Sequence, residues 1–265
     1  MTRGPKRGWI LMLALALAAC VSSPPVTVKG DPSAAIPEKP DPERQARVRL
    51  ELASLYFSRG QAETALSEVK GALAANPNLA EGYNLRGLIY ANLGEIQPAE
   101  QSFRRALELA PTDGAVNHNY GWFLCQQRRY AEAESQFAAA LAQPRYGDVV
   151  RTQLTQGICE ARNGRWAEAE RTLSRAYELD PRNPVTAYNL ADVLLHEREF
   201  ARARFYVGRI NAVESQTTAQ SLWLAARIEH GAGNTQGTQD FGRMLTDRYP
   251  QSTEALNFAR GKFDE

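Results

Sequence analysis

Three cysteines and three histidines carry most of the reactive chemistry available to this 265-residue chain. Cys20 closes an apolar stretch, Ile10–Ala19, that follows Arg3, Lys6 and Arg7. A thiol in that place is a nucleophile that can take a lipid. Setting Cys20 aside leaves Cys125 and Cys159, an even pair. In an oxidising compartment two thiols within reach form a disulfide; out of reach they are two buried apolar residues. The histidines, His118, His196 and His230, show no paired-ligand spacing, and His196-Glu197-Arg198-Glu199-Phe200 only begins like a zinc helix. Gly231, Gly233 and Gly237 have the wrong spacing for a dinucleotide loop, and no strand precedes them. These residues imply no catalytic site, no metal, no cofactor and no small-molecule substrate.

The elements around Cys20 give it a role. A basic start followed by about ten apolar residues is half of what a membrane-spanning helix needs, so residues 1–19 read as a cleaved export signal. Leu17-Ala18-Ala19-Cys20 resembles the lipobox cut by the lipoprotein signal peptidase, which makes Cys20 the lipid-attachment site. Stable anchoring needs two or more acyl chains, and such lipoproteins typically carry three. Residue 21 is Val rather than Asp; where the residue after Cys sorts lipoproteins, this favours the outer membrane, facing the periplasm. Residues 20–42 then hold Pro24, Pro25, Pro32, Pro37, Pro40 and Pro42. That density blocks helix and ladder and favours an extended tether, about 60–70 Å long at full stretch.

The charge balance argues against nucleic acid as the main partner, although a local basic patch is compatible with it. The whole chain has 31 Lys+Arg against 30 Asp+Glu, and removing Arg3, Lys6 and Arg7 with the signal leaves 28 against 30. No basic excess remains to hold nucleic acid.

Residues 43–265 show helical periodicity and a repeat of about 34 residues, with small and large apolar residues at fixed offsets. This is the signature of tetratricopeptide repeats. With Ala46 as position 1, positions 7, 8, 11, 20, 24, 27 and 32 are Leu52, Ala53, Tyr56, Ala65, Val69, Ala72 and Pro77; Arg49 at position 4 fits poorly. The expected fold is an all-α superhelical solenoid of six repeats, 46–79, 80–113, 114–149, 150–183, 184–217 and 218–251, with a cap over 252–265. Arg86 stands at position 7 of the second repeat in place of Leu, two residues are inserted around Gln143–Asp148, and the sixth repeat is degenerate, with Gly237 at position 20 and Phe241 at 24. Small residues at 8, 20 and 27 let helix A and helix B approach; Gly60, Gly94 and Gly164 mark the turns between them. Acids such as Glu132 and Glu134 read as solvation of the outer face.

In this frame positions 2, 5, 6, 9, 12 and 13 of each helix A line the inner face. Leu50, Ser54, Phe57, Asn84, Leu88, Asn119, Trp122 and Asn189 stand there as candidate partner-binding residues, with His118 beside them. Asn119 and Asn189 suit a peptide backbone, and the apolar members suit either partner or neighbouring helices. Cys125 at position 12 and Cys159 at position 10 lie on successive A helices, where facing edges bring a disulfide within reach.

Three stretches carry a family resemblance: NHNYGWFLCQQRRYAEAESQF (117–137), NLRGLIYANLGEIQPAEQSFRRALELAP (84–111) and NLADVLLHEREFARARFYV (189–207). Together with the lipobox they resemble the PilF/PilW family of type IV pilus biogenesis lipoproteins. The resemblance implies a monomeric, non-enzymatic outer-membrane pilotin. Its partner would be the pilus secretin, which it helps to localise and assemble into a ring. An adaptor in outer-membrane or envelope polysaccharide assembly, or a noncatalytic subunit of a periplasmic enzyme complex, fits the same residues without the resemblance.

Overall fold

The structure is a computed structural model and describes residues 41–263. Cys20, the signal and the tether up to Pro40 lie outside the described residues. Within them every regular element is helical: thirteen α-helices and one short 3-10 turn, Glu214–Gln216. They run as A–B pairs: α1 (Pro42–Ser58) with α2 (Ala62–Ala75), α3 (Ala80–Asn92) with α4 (Ile96–Leu109), α5 (Gly114–Gln126) with α6 (Tyr130–Leu141). Then come α7 (Val149–Arg162) with α8 (Trp166–Leu179), α9 (Pro184–His196) with α10 (Phe200–Asn211), α11 (Ala219–Gly231) with α12 (Thr235–Arg248), and a final α13 (Thr253–Ala259). The first helix starts at Pro42, at the edge of the proline-rich segment, where Asp41 caps it by accepting from the Glu43 N–H at 3.0 Å. Proline is tolerated there because the first-turn N–H has no partner in a helix.

Local chemistry sets the ends of each pair. Ahead of α5 and α9 the chain reads Pro-x-Asp or Pro-x-Asn. The Asp113 side chain accepts from Ala115 and Val116, and Asn183 from Val185 and Thr186. Each A–B turn passes through one left-handed residue: Gly60, Gly94, Arg128, Gly164, Arg198 and Gly233, with φ between 59° and 78°. Four are glycine, which adopts that region freely; the two arginines do not.

Between the helices of a pair, small faces large. Gly87 lies under Phe103, Gly121 under Phe137 and Gly157 under Leu173, while Ala53 shares a cluster with Val69 and Ala191 with Val207. Two residues that fit the repeat poorly are paired. The Arg49 guanidinium meets Glu68 at 2.9 Å, and Arg86 donates to Ser102 Oγ at 3.0 Å while lying over the Tyr83 ring.

Two expectations change. In the sixth repeat α11 both starts and ends one residue late, at Ala219 and Gly231, with Gly233 rather than residue 232 in the left-handed turn. The buried positions of α12 are therefore Thr238, Gly242 and Leu245, while Gly237 and Phe241 are half-buried, Phe241 packing against the last two core clusters. Gly242 is small because Phe258 of α13 lies on it. Glu134 is not merely solvated: it meets Arg165 of the next repeat at 2.6 Å. Glu100–Arg129 (2.8 Å) and Glu170–Arg202 (2.5 Å) bridge successive repeats from the same position of helix B, and Glu132 pairs with Arg129.

The turns generate a test. Arg128→Gly should raise stability by about 0.5–1 kcal/mol, the left-handed penalty of a residue that carries a Cβ less the extra chain entropy of glycine. Arg198→Gly should gain less, since the Arg198 guanidinium lies over the Phe200 ring. Gly94→Ala should lose about 1 kcal/mol. Urea unfolding of the three variants measures the order; an unchanged or lower midpoint for Arg128→Gly refutes it.

Candidate functional site

The A helices stack side by side, and their inner-face side chains meet at intervals of one repeat. Asn119 Nδ2 donates to Asn84 Oδ1 at 3.2 Å, joining α5 to α3. The Arg162 guanidinium of α7 lies over the Trp122 ring of α5, 4.8 Å from its centre. Arg227 of α11 meets Asp192 of α9 at 3.5 Å and donates to the Phe263 carbonyl at 3.1 Å. The Phe263 ring stacks on His230 and Trp223, at 4.0 and 5.2 Å between centres. The face is thus a ladder of amides, aromatic rings and cations, suited to holding an extended peptide by its backbone and one or two large side chains.

The candidate residues divide. Ser54 is exposed, and Asn84, Asn119 and Trp122 are partly covered on the ladder. Leu50 and Phe57 are half-buried against the first repeat's core, with Ala53, Ala62 and Val69. Leu88 packs on the second core beside Phe103 and Phe123. Asn189 donates to its own helix, at the Val185 carbonyl, 2.8 Å away. The Arg227–Phe263–His230 group escapes the repeat frame because one extra residue ahead of α11 shifts the whole helix, which keeps the 13 residues of α3, α5 and α9, and this turns Arg227 onto the inner face.

His118 leaves the face altogether. Its side chain is buried, and its Nδ1 lies 2.9 Å from Thr152 Oγ1, which also bonds the Tyr146 hydroxyl at 2.6 Å. Tyr146 belongs to the inserted loop, and its ring lies against Gly114. The insertion is thus folded back and tied to α5 and α7. Burial first, and the positive charge of Arg151 second, push the His118 pKa down to about 4 against an opposing pull from Asp148.

At the same junction Cys125 of α5 and Cys159 of α7 face each other with Cα atoms 5.9 Å apart, and their sulfurs stand at bonding distance. Both side chains are buried, against Phe123, Leu124 and Phe137. Among the described residues no group of three His, Cys, Asp or Glu is placed to hold a metal ion, and no helix is long and apolar enough to cross a membrane.

Comparison with known proteins places this architecture. Tetratricopeptide-repeat family descriptions match residues 80–113, 102–135, 124–184 and 161–227. The chain is a tetratricopeptide-repeat protein. Within that class it is similar to the type IV pilus proteins PilF and PilW. It is 28% identical to the type IV pilus assembly protein PilF of Pseudomonas aeruginosa over 254 residues, covering 96% of this chain and 97% of that one. Its fold matches the crystal structure of PilW, a widely conserved type IV pilus biogenesis factor, with a TM-score of 0.76, 29% identity, and coverage of 80% of this chain and 97% of that one. A structure of Pseudomonas aeruginosa PilF matches with a TM-score of 0.72 and 25% identity, over 83% and 99% of the two chains.

Two tests follow from the junction of α5 and α7. His118 has a folded pKa below the 6.5 of an ordinary histidine. Below about pH 6.5 the unfolded chain therefore binds a proton that the folded chain refuses, and stability falls as pH drops toward 4. The loss should approach about 3 kcal/mol at pH 4. Urea unfolding at pH 7.5, 5.5 and 4.5 measures it; His118→Gln should flatten that part of the pH profile, and an equal slope in both proteins rules the assignment out. We also propose that Cys125 and Cys159 are bonded in the exported protein. Thiol labelling of unfolded, unreduced Cys20→Ser protein should then find no reactive thiol, and reduction should cost about 3–4 kcal/mol in the chain-entropy account. Two labelled thiols exclude the bond.

Proposed function

We propose that this chain is a lipid-anchored protein of the outer membrane, facing the periplasm, that acts in type IV pilus biogenesis as a pilotin. It binds the pilus secretin through its repeats, helps it reach the outer membrane and assemble into a ring, and does no covalent chemistry of its own. The observation that carries this reading is the similarity to PilF and PilW along nearly the whole solenoid. The lipobox at Leu17–Cys20 supports the anchor, and the proline-rich tether lets the solenoid stand off the bilayer to meet a large partner. The inner face supports binding: Ser54, Asn84, Asn119 and Trp122 offer amide donors and acceptors and an aromatic surface to an extended segment.

Deleting the gene should abolish surface pili and deplete the heat-stable secretin multimer while the secretin monomer persists. Normal multimers in the deletion strain refute the pilotin role. Complementation with Cys20→Ser should give folded protein that no longer fractionates with the outer membrane; unchanged fractionation refutes the anchor. Complementation with Ser54→Arg and Asn84→Arg, which disturb no core cluster, should reduce secretin capture at least tenfold, and undiminished capture places the contact off the inner face.

A further inference from the structure

We propose that the open edge of α1 is a docking site for an amphipathic α-helix of a partner protein, one with acidic residues flanking its apolar face. The proposal is independent of the pilus reading. It rests on three positions of helix A that face the preceding helix B. At the third position of the repeat, Val116, Thr152 and Thr186 are fully buried. At the tenth, Ile89, Phe123 and Val193 are buried too: Ile89 clusters with Ala65 and Val69 of α2, Phe123 meets Phe103 of α4 at 5.4 Å between rings, and Val193 clusters with Ala169 and Leu173 of α8. The seventh position holds Tyr120 and Leu190, both buried.

In α1, which has no preceding helix B among the described residues, the same three positions are Val48, Leu52 and Leu55. They are 49, 39 and 44% exposed. A solenoid end made for solvent would carry polar residues here. These three form one stripe at helical spacing. The stripe continues the repeat-to-repeat interface of this same chain, so the shape it accepts is the one already accepted five times inside the molecule: an α-helix.

Charge selects the kind of helix. Arg44 and Arg59 lie at the two ends of the stripe on the same side of α1, both exposed and neither paired with a carboxylate among the described residues. Two copies of this chain pairing α1 against α1 about a two-fold axis would set each Arg44 against an Arg59, which repels. Between Cys20 and Pro40 the sequence holds Pro24, Pro25, Pro32 and Pro37, with no proline-free run of three helical turns, so its composition does not favour that segment as the occupant. A separate protein with acids at both ends of its apolar face satisfies both the stripe and the arginines.

The chain contains its own probe. α8 packs on Leu190 and Val193, which with the buried Thr186 form the set most like Val48, Leu52 and Leu55, and it carries Glu168, Glu170 and Glu178. A fluorescein-labelled synthetic peptide of residues 166–179, stapled as a helix on its solvent side, is titrated with the full-length protein in mild detergent. Saturable binding is expected, weakened at least tenfold by Leu55→Asp, whose exposed site leaves the melting curve in place. Arg44→Glu with Arg59→Glu, which touches no core residue, should weaken it at least threefold at low salt, and a peptide with Glu168 and Glu178 changed to Lys should recover that loss. No saturable binding, or equal binding by wild type and Leu55→Asp, overturns the proposal. So does a concentration-dependent dimer, seen by light scattering, that Leu55→Asp abolishes.

Discussion

Helix A and helix B of this solenoid bury Phe103, Phe137 and Leu173 only because Gly87, Gly121 and Gly157 offer no Cβ. A Cβ on those glycines would sit 2.8, 2.9 and 2.5 Å from the facing side chain, closer than carbon atoms pack. Where the residue of helix B is a valine, Val69 or Val207, the facing residue is an alanine. The pair conserves volume, and with it the distance between helices. Everything on the inner face inherits that distance. Asn84 reaches Asn119, and Arg162 reaches Trp122, because each pair sets its helix A at a repeatable offset from the next.

Between repeats the chain adds polar links whose weight differs along the stack. The Glu–Arg bridges at Glu100, Glu134 and Glu170 are partly exposed, and such pairs contribute about 0–1 kcal/mol each. Arg204 and Glu229 form a two-bond version, and the Arg204 hydrogen bonds hold the Glu229 carboxyl below its usual pKa. The junction of the third and fourth repeats is different. There two extra residues break the register, and three separate links converge on it: the His118–Thr152–Tyr146 hydrogen bonds, the Tyr130 hydroxyl on the Arg162 carbonyl, and the facing cysteines. The place where the repeat is least regular carries the most specific contacts.

How much of this was legible in the sequence follows from what each feature depends on. The pairs were legible because small-faces-large is a property of fixed offsets, read directly from Gly87, Phe103 and their equivalents. Arg128 and Arg198 were not read as left-handed turns, because only their position in the repeat, not their residue type, signals it. His118 was assigned to the inner face because its offset places it there. The inserted loop overrode that offset by bringing Tyr146 and Thr152 over it, and a loop's path is not periodic. The sixth repeat misled for a related reason: one extra residue in the connection from α10 to α11 shifted both α11 and α12 and moved Arg227 to the inner face. The candidate face as a surface was legible; which of its side chains are spent on the core, as Leu50, Phe57 and Leu88 partly are, was not.

The two ends of the stack differ in kind. At the C-terminal end α13 lays Phe258 on Gly242, and Phe263 covers Trp223 and His230, so the last pair is closed by the chain itself. At the other end α1 has support on one side only among the described residues. In an array whose stability is a sum of pair and neighbour terms, a repeat with one neighbour opens before the rest. The first repeat also has Leu66 at the position from which Glu100, Glu134 and Glu170 bridge to the next repeat, so it lacks that link as well. Ser54 and the half-buried Leu50 and Phe57 therefore belong to the repeat most easily remodelled. Any partner that covers α1 supplies the missing neighbour term and so steadies the inner-face residues of the same helix. Edge and face are coupled through α1 alone, with no change required elsewhere in the solenoid.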